Sequence, residues 1–290
     1  MIPFPHESLC DRAVPIHLES LSMTLFHLLL VAIIQGITEF LPVSSSGHLI
    51  LLPNLTGLAD QGQVIDVAAH VGTLFAVILY FWSDVRLALG GIPNMLRGRL
   101  DDPGAKLAFL LAIATIPVIL FGLVLKVTGL DDAMRGIIVI GWTMLIFGLV
   151  LYWADQKGTT EKTASDWSLK DAIIMGVWQA VALIPGTSRS GITITAARFL
   201  GYNRKDGAKL AMLMSIPTII ASGTLLGLEV AADANWVLAQ AGAIAAFFAF
   251  IAALLALTLM MRLLQSVSFT PYVIYRVVLG LVLLWIGYSA

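Results

Sequence analysis

Residues Gln35–Gly47 read QGITEFLPVSSSG, and residues Gln179–Gly191 read QAVALIPGTSRSG. The two stretches match at a constant offset close to half the chain: Gln35 with Gln179, Ser44 with Ser188, Ser45 with Arg189, Ser46 with Ser190, Gly47 with Gly191. Each interrupts an apolar run. Leu25–Leu41 is stopped by Pro42 and by Ser44–Gly47, and the next apolar run, His48–Leu58, reaches only about 16 Å as a helix. Ala172–Ile184 is stopped by Pro185, Gly186 and Thr187, and Ser190–Leu200 is again too short to cross about 30 Å of hydrocarbon. Each pair therefore reads as two half-helices meeting at a turn inside the membrane, a re-entrant hairpin. Non-helical backbone at that depth has to be buried in protein or face a polar cavity.

The rest of the chain supports a membrane setting. Of 290 residues, 59% are hydrophobic and 12% charged, and mean hydropathy is +0.92. A soluble domain has about 45–50% and about 25% respectively. Six runs are long enough to span: Ile65–Trp82, Leu107–Leu125, Gly136–Trp153, Ala208–Leu228, Trp236–Met260 and Pro271–Tyr288. Trp82, Trp153, Trp236 and Trp285 sit near span boundaries, as in an interfacial aromatic belt. The expected fold class is an all-α polytopic membrane protein, with about six transmembrane helices and two re-entrant helical hairpins in an inverted repeat.

Counting gives the inversion. Three full spans separate the hairpins, so the second enters from the face opposite the first. The expected organisation is an N-terminal extension over residues 1–22, poorly structured, then a first repeat over 23–153, a linker over 154–171 and a second repeat over 172–290. The extension lacks the pattern of a signal peptide, and Met23 is a second candidate start. One face receives the loops holding Arg86, Arg97, Arg99 and Lys106, then Lys157, Lys162 and Lys170, then Arg204 and Lys205, then Arg262, whereas the other has Lys126, Arg135 and, in the N-terminal segment, Arg12. The basic face is expected in the cytoplasm, which puts both termini and the mouth of the first hairpin in the periplasm.

A net charge of -1 and the lack of a basic, aromatic-interleaved patch give no basis for nucleic-acid binding. Lone Cys10 excludes an internal disulfide and a CxxC metal site. Neither a GxxxxGK[ST] loop nor an HExxH motif occurs.

The chemistry gathers at the two breaks. Glu39 lies in an apolar half-helix, where a carboxylate costs about 2.5–3.5 kcal/mol on the insertion scale and needs a cation, a metal or water to offset it. A protonated glutamate bonded across helices is the alternative. Gln35 is one turn earlier on the same face and can orient Glu39 or a substrate oxygen. Arg189, in the second turn, is the natural partner of Glu39 and a rigid fork for phosphate. Ser44, Ser45, Ser46, Ser188 and Ser190 can cap the half-helices. Two half-helix N-termini aimed at one place also make an anion site. Gly47, Gly186 and Gly191 allow close backbone approach, and Thr193 adds a hydroxyl. His48 is read as a general acid or base within reach of Glu39. His70 and Asp66 are read as packing or polar-network residues, and Arg276 as snorkelling from the last span.

Gln35–His48 and Pro185–Thr193 (PGTSRSGIT) resemble the two signatures of the undecaprenyl-diphosphate phosphatases, also called bacitracin-resistance proteins. The resemblance runs from about Met23 to the C-terminus. The first acidic position is Gln35 here, a variant the family pattern admits, and the N-terminal extension has no counterpart. The resemblance implies hydrolysis of undecaprenyl diphosphate to undecaprenyl phosphate, recycling the lipid carrier for cell-wall synthesis in the inner membrane. It also implies a divalent cation, magnesium or calcium, held through Glu39, and resistance to bacitracin, which acts through the substrate. By position, Glu39, Ser45, His48, Ser188, Arg189 and Thr193 inherit active-site roles. Acid-phosphatase-type lipid phosphatases carry a superficially similar PSGH run, but no histidine follows Arg189 at their spacing.

Two rival functions have distinct signatures. A transporter or flippase of polyprenyl phosphate also suits inverted repeats with broken helices, and it predicts lipid movement without hydrolysis. A non-catalytic sensor of lipid diphosphate predicts that Glu39→Gln spares function. The sequence leaves a homodimer open.

Overall fold

The computed structural model describes residues 25–57, 62–130, 134, 136–231 and 236–289, with backbone alone at 54–56 and 225–231. The extension expected over residues 1–22 lies outside the described residues, as do Arg12 and Arg135. The described chain is α-helical throughout: α1 (Leu25–Phe40), α2 (Ser45–Thr56), α3 (Gln63–Tyr80), α4 (Trp82–Leu96), α5 (Pro103–Thr128), α6 (Ile137–Lys157), α7 (Leu169–Val181), α8 (Arg189–Phe199), α9 (Arg204–Ala231), α10 (Trp236–Leu263) and α11 (Thr270–Ser289), with one 3-10 turn at Ala164–Asp166.

Local chemistry starts and stops these helices. Asp102 Oδ1 accepts from Ala105 N at 2.7 Å, and Pro103 sits at the first helical position of α5, where its missing N–H costs nothing. Ser168 caps α7 through Asp171 N at 3.1 Å. Gly57 and Gly129 end α2 and α5 at φ 67° and 68°. In the segment joining α6 to α7, Thr163 donates to Asp166 from its backbone N–H and its hydroxyl, which holds that exposed carboxyl below its ordinary range.

Helices α3, α5, α6, α10 and α11 are long and apolar enough to cross a membrane, so the protein is a polytopic all-α membrane protein. The sixth expected span falls within α9, 28 residues long. Two expectations change. The stretch carrying Arg86 is helical, because α4 packs along α5 where Gly91 meets the backbone of Gly104. The link expected over 154–171 is confined to 158–168, since α6 and α7 extend into it.

The half-helices are as short as the breaks require: α1 and α2 measure about 24 and 18 Å, α7 and α8 about 20 and 17 Å. The half-helices pack on long helices of the other half. Helix α1 lies on α10, and α7 lies on α5; α3 meets α9, and α6 meets α11. Gly36 and Gly176 set the first two contacts. A Cβ at Gly36 would fall 2.6 Å from Ala249 O, and one at Gly176 2.5 Å from Ala114 O. Close backbone approach at small residues replaces the hydrophobic drive that lipid does not supply. The central core joins Phe40, Leu151, Ile194, Met212, Leu257 and Phe269.

At the basic end, Asp155 of α6 accepts from Arg198 Nε of α8 at 3.2 Å, Arg204 Nε of α9 at 2.7 Å and Phe269 N at the start of α11 at 3.2 Å. One buried carboxylate thus ties four elements together, leaving the opposite, N-terminal end of α8 fixed against the first turn.

Candidate active site

Both breaks turn on a strained serine. Ser44 (φ 74°) and Ser188 (φ 70°) are the non-glycine residues at positive φ among the described residues. Such conformations cost about 1–3 kcal/mol and persist where the surroundings over-determine them. The match extends to the side chains. Ser44 and Ser46 share a hydrogen bond of 3.1 Å between hydroxyls, and Ser188 and Ser190 share one of the same length. The turns interlock: Ser190 Oγ donates to Leu41 O at 2.9 Å, and Gly186 N donates to Ser46 Oγ at 3.4 Å. Helices α2 and α8 begin at this junction, so the free N–H groups of both face one place.

Glu39, at the end of α1, is 7% exposed and fully engaged. Its Oε2 accepts from Gln35 Nε2 at 2.7 Å and from Ser45 Oγ at 3.0 Å, with His70 Nε2 at 3.6 Å. Its Oε1 accepts from Arg189 Nη2. The buried carboxylate is thereby matched by a guanidinium and two neutral donors. These groups surround a cavity of about 190 Å³ lined by Glu39, Ser44, Ser45, Ser46, His70, Val118, Gln179, Ala182, Leu183, Ser188, Arg189, Thr218 and Ser222.

Most of the residues singled out in the sequence are thus brought together, with clear exceptions. His48 does not reach Glu39. Its Nδ1 lies 2.7 Å from Ser44 O and its Nε2 2.5 Å from Tyr275 OH, and the ring stacks on Tyr275 at 5.5 Å. A carbonyl can only accept, so Nδ1 carries the proton and Nε2 accepts from the tyrosine. Thr193 is buried, and its hydroxyl donates to Arg189 O at 2.7 Å within its own helix. The glycines serve approach. Gly186 has φ 86°, and a Cβ there would collide with Thr143. A Cβ at Gly191 would sit 2.7 Å from Arg276 Nη1, and one at Gly47 3.0 Å from Met144 Sδ.

Two readings are corrected. His70 is a cavity residue facing Glu39; α3 delivers it, and no spacing in the sequence links the two. Arg276 does not snorkel. It is 0% exposed and donates to backbone carbonyls: Met144 O (3.2 Å), Pro42 O (3.5 Å), Thr143 O (3.4 Å), Gly186 O (3.1 Å) and Thr187 O (2.9 Å). It therefore clasps both turns at once. An arginine inside an apolar span was the available signal, because a charge there is functional by default. Gln179, Thr218 and Ser222 were also missed as cavity residues.

A divalent cation can be tested against the donors. Among the described residues no group of three His, Cys, Asp or Glu is assembled. What is present is hard oxygen: the Glu39 carboxylate and the hydroxyls of Ser44, Ser45 and Ser46, all lining the cavity. That set suits magnesium in the manner in which it is usually held, by one or two carboxylates with substrate phosphates and water.

A family model described as bacitracin resistance protein BacA matches residues 28–282. A protein of Jannaschia sp. (strain CCS1) named undecaprenyl-diphosphatase is 72% identical over 267 residues, 92% of this chain and 100% of that protein. Proteins of the same name from Dinoroseobacter shibae and Ruegeria pomeroyi are 71% and 72% identical over the same coverage.

Proposed function

Since the chain belongs to the BacA family, we infer that it is an integral membrane phosphatase that hydrolyses undecaprenyl diphosphate to undecaprenyl phosphate and phosphate. The observation that carries this reading is one hydrogen bond: Ser45 Oγ donates to Glu39 Oε2 at 3.0 Å while the same carboxylate holds Arg189. Nucleophile, base and phosphate clamp are in register around one cavity.

The diphosphate enters between the two turns, and the isoprenoid tail stays in lipid. Arg189 turns from Glu39 to the phosphate oxygens, joined by the N–H groups that open α2 and α8, and these donors stabilise charge as it shifts toward the leaving group. Ser45 Oγ attacks the terminal phosphorus and its proton passes to Glu39 Oε2. The bond from that phosphorus to the bridging oxygen breaks, and undecaprenyl phosphate leaves. Water then attacks the phosphoserine, Glu39 returns its proton to Ser45 Oγ and takes the one from water, and phosphate departs. A divalent cation, held by Glu39 with Ser45 beside it, would supply Lewis-acid neutralisation of the phosphate charge. His48 keeps the first turn and α11 in contact and leaves the proton transfer to Glu39.

The two breaks, the matched serines and the packing of α1 on α10 and of α7 on α5 support an inverted repeat of one hairpin plus three spans. With the basic loops in the cytoplasm, the protein sits in the bacterial inner membrane with its termini and first hairpin toward the periplasm. Recycling of the lipid carrier there serves cell-wall synthesis, and depletion of the diphosphate that bacitracin sequesters gives resistance. The test is phosphate release from undecaprenyl diphosphate by purified protein in detergent, with and without chelator. Wild type is expected to be active, Glu39→Ala and Arg189→Ala inactive, and chelator inhibitory. An inert wild type with lipid movement in vesicles would establish the transporter instead.

A further inference from the structure

His70 lines the catalytic cavity, yet the hydrolysis described above leaves it without a role. It stands on α3 two residues before Gly72, where a Cβ would fall 2.1 Å from Ala246 O of α10. The helix that carries it is therefore held backbone to backbone. The ring itself has a fixed orientation. Its Nδ1 lies 2.8 Å from Asp66 O. A carbonyl only accepts, so Nδ1 carries the proton, and in the neutral ring Nε2 keeps a free lone pair. That nitrogen is 3.6 Å from Glu39 Oε2, on a side chain 35% exposed.

The separation is informative. An imidazolium would donate to the carboxylate at about 2.7–2.9 Å, and 3.6 Å is too long for that bond. In the neutral ring two acceptors face each other across the gap, which a cation between them would relieve. Nitrogen and oxygen ligands at about 2.0–2.2 Å from one ion stand about 3–3.5 Å apart, close to the spacing found. Metal-bound histidines also give their other ring N–H to a carboxylate or a backbone carbonyl, and His70 gives its own to Asp66 O.

We propose that His70 Nε2 is a ligand of the divalent cation beside Glu39, and that the site consequently takes a first-row transition ion such as manganese in preference to calcium. This rests on the cation of the phosphatase reading, whose remaining positions go to cavity hydroxyls, substrate phosphate and water. Calcium bonds to oxygen and gains little from an imidazole, whereas transition ions accept nitrogen and oxygen together. His70 exchanges no proton in this role, and the transfers between Ser45 and Glu39 stand as written.

The probe is Mn2+ added to the full chain in detergent, without an affinity tag and without substrate. Electron paramagnetic resonance counts the bound ion, and spin-echo modulation by 14N reports a coordinated imidazole. Wild type is expected to bind a single Mn2+ with 14N modulation and to release it only to calcium in at least about tenfold excess. His70→Gln is expected to lose the modulation and to weaken Mn2+ binding at least about tenfold. His70→Asp supplies an oxygen ligand and is expected to bind Mn2+ without modulation. His48→Gln is expected to keep the modulation, because its nitrogens are engaged by Ser44 O and Tyr275 OH. Melting temperature is recorded for every variant; if neither His70 variant folds, the wild-type and His48→Gln spectra decide. No bound Mn2+, bound Mn2+ without 14N modulation in wild type, modulation that survives in His70→Gln, or modulation lost in His48→Gln overturns the proposal. A protein that shows the expected spectra but releases no phosphate from undecaprenyl diphosphate overturns the phosphatase reading instead and leaves the His70 ligand in place.

Discussion

Arg276 Nη2 stands 2.9 Å from the carbonyl oxygen of Thr187, which makes an arginine of the last helix the clasp of the second turn. Its Nη1 reaches Pro42 O of the first turn at 3.5 Å. Arg276→Met should leave Glu39, Ser45 and Arg189 intact yet unaligned. A misplacement of about 1 Å is enough to cost about 100-fold in rate, and a loss of that order or more in phosphate release is expected. Stability should fall by only about 1–3 kcal/mol, because the turn carbonyls lose donors while a buried cation is removed. Arg276→Lys should not restore activity, since a point charge cannot span five carbonyls as a planar fork does. A variant that melts like wild type and retains full activity would refute the clasp.

The contrast between Arg276 and Glu39 shows what the sequence reveals. Glu39 was legible because it stands beside a proline, three serines and a glycine, and its partner Arg189 lies in a motif that repeats the design. Helix breaks, strained serines and half-helix N-termini are local, and local patterns survive in one dimension. Arg276 has no motif around it. Its partners are backbone carbonyls spread from Pro42 to Thr187, which no side-chain pattern encodes. His70 likewise reaches Glu39 only because α3 packs between α9 and α10. Helix α4 was hidden for another reason. It is stabilised by contact with α5 at Gly91 and Gly104, and its own polarity reads as loop.

Ser45 separates two chemistries. Its hydroxyl is the group hydrogen-bonded to Glu39, so Ser45→Ala should lower kcat by at least about 1,000-fold if the phosphoserine forms, as losses of that size accompany removal of a covalent nucleophile. Acid quenching of wild type with terminally labelled substrate should then trap label on Ser45 and not in the alanine variant. A reduction of about tenfold without trapped label would mean that water attacks the diphosphate directly.

Asp155 is expected to govern stability rather than chemistry. Its side chain and that of Arg198 are each 1% exposed, whereas Arg204 is 32% exposed. Asp155→Ala leaves the Arg198 cation buried and unmatched, at a cost of about 3–5 kcal/mol. Arg204→Ala removes a partner that water can replace, at about 1 kcal/mol or less. Melting curves in detergent check the order; equal losses would show that burial is not the deciding factor.

His48 supplies the sharpest test of how the first turn works. Its nitrogens are held by Ser44 O and Tyr275 OH, so the imidazole is occupied by structure on both sides. If it fixes α2 against α11, Tyr275→Phe should weaken activity through the same route as His48→Gln, and the double variant should be no worse than the more damaging single change, since two residues acting through one contact are not additive. The pH–rate profile of His48→Gln should keep the limbs of wild type, because Glu39 still takes the proton from Ser45. A limb near the ordinary histidine range that disappears in His48→Gln and persists in Tyr275→Phe would instead make the imidazole the base. The first turn would then have to rotate on binding substrate, because in the present arrangement the ring faces Tyr275 and not the cavity.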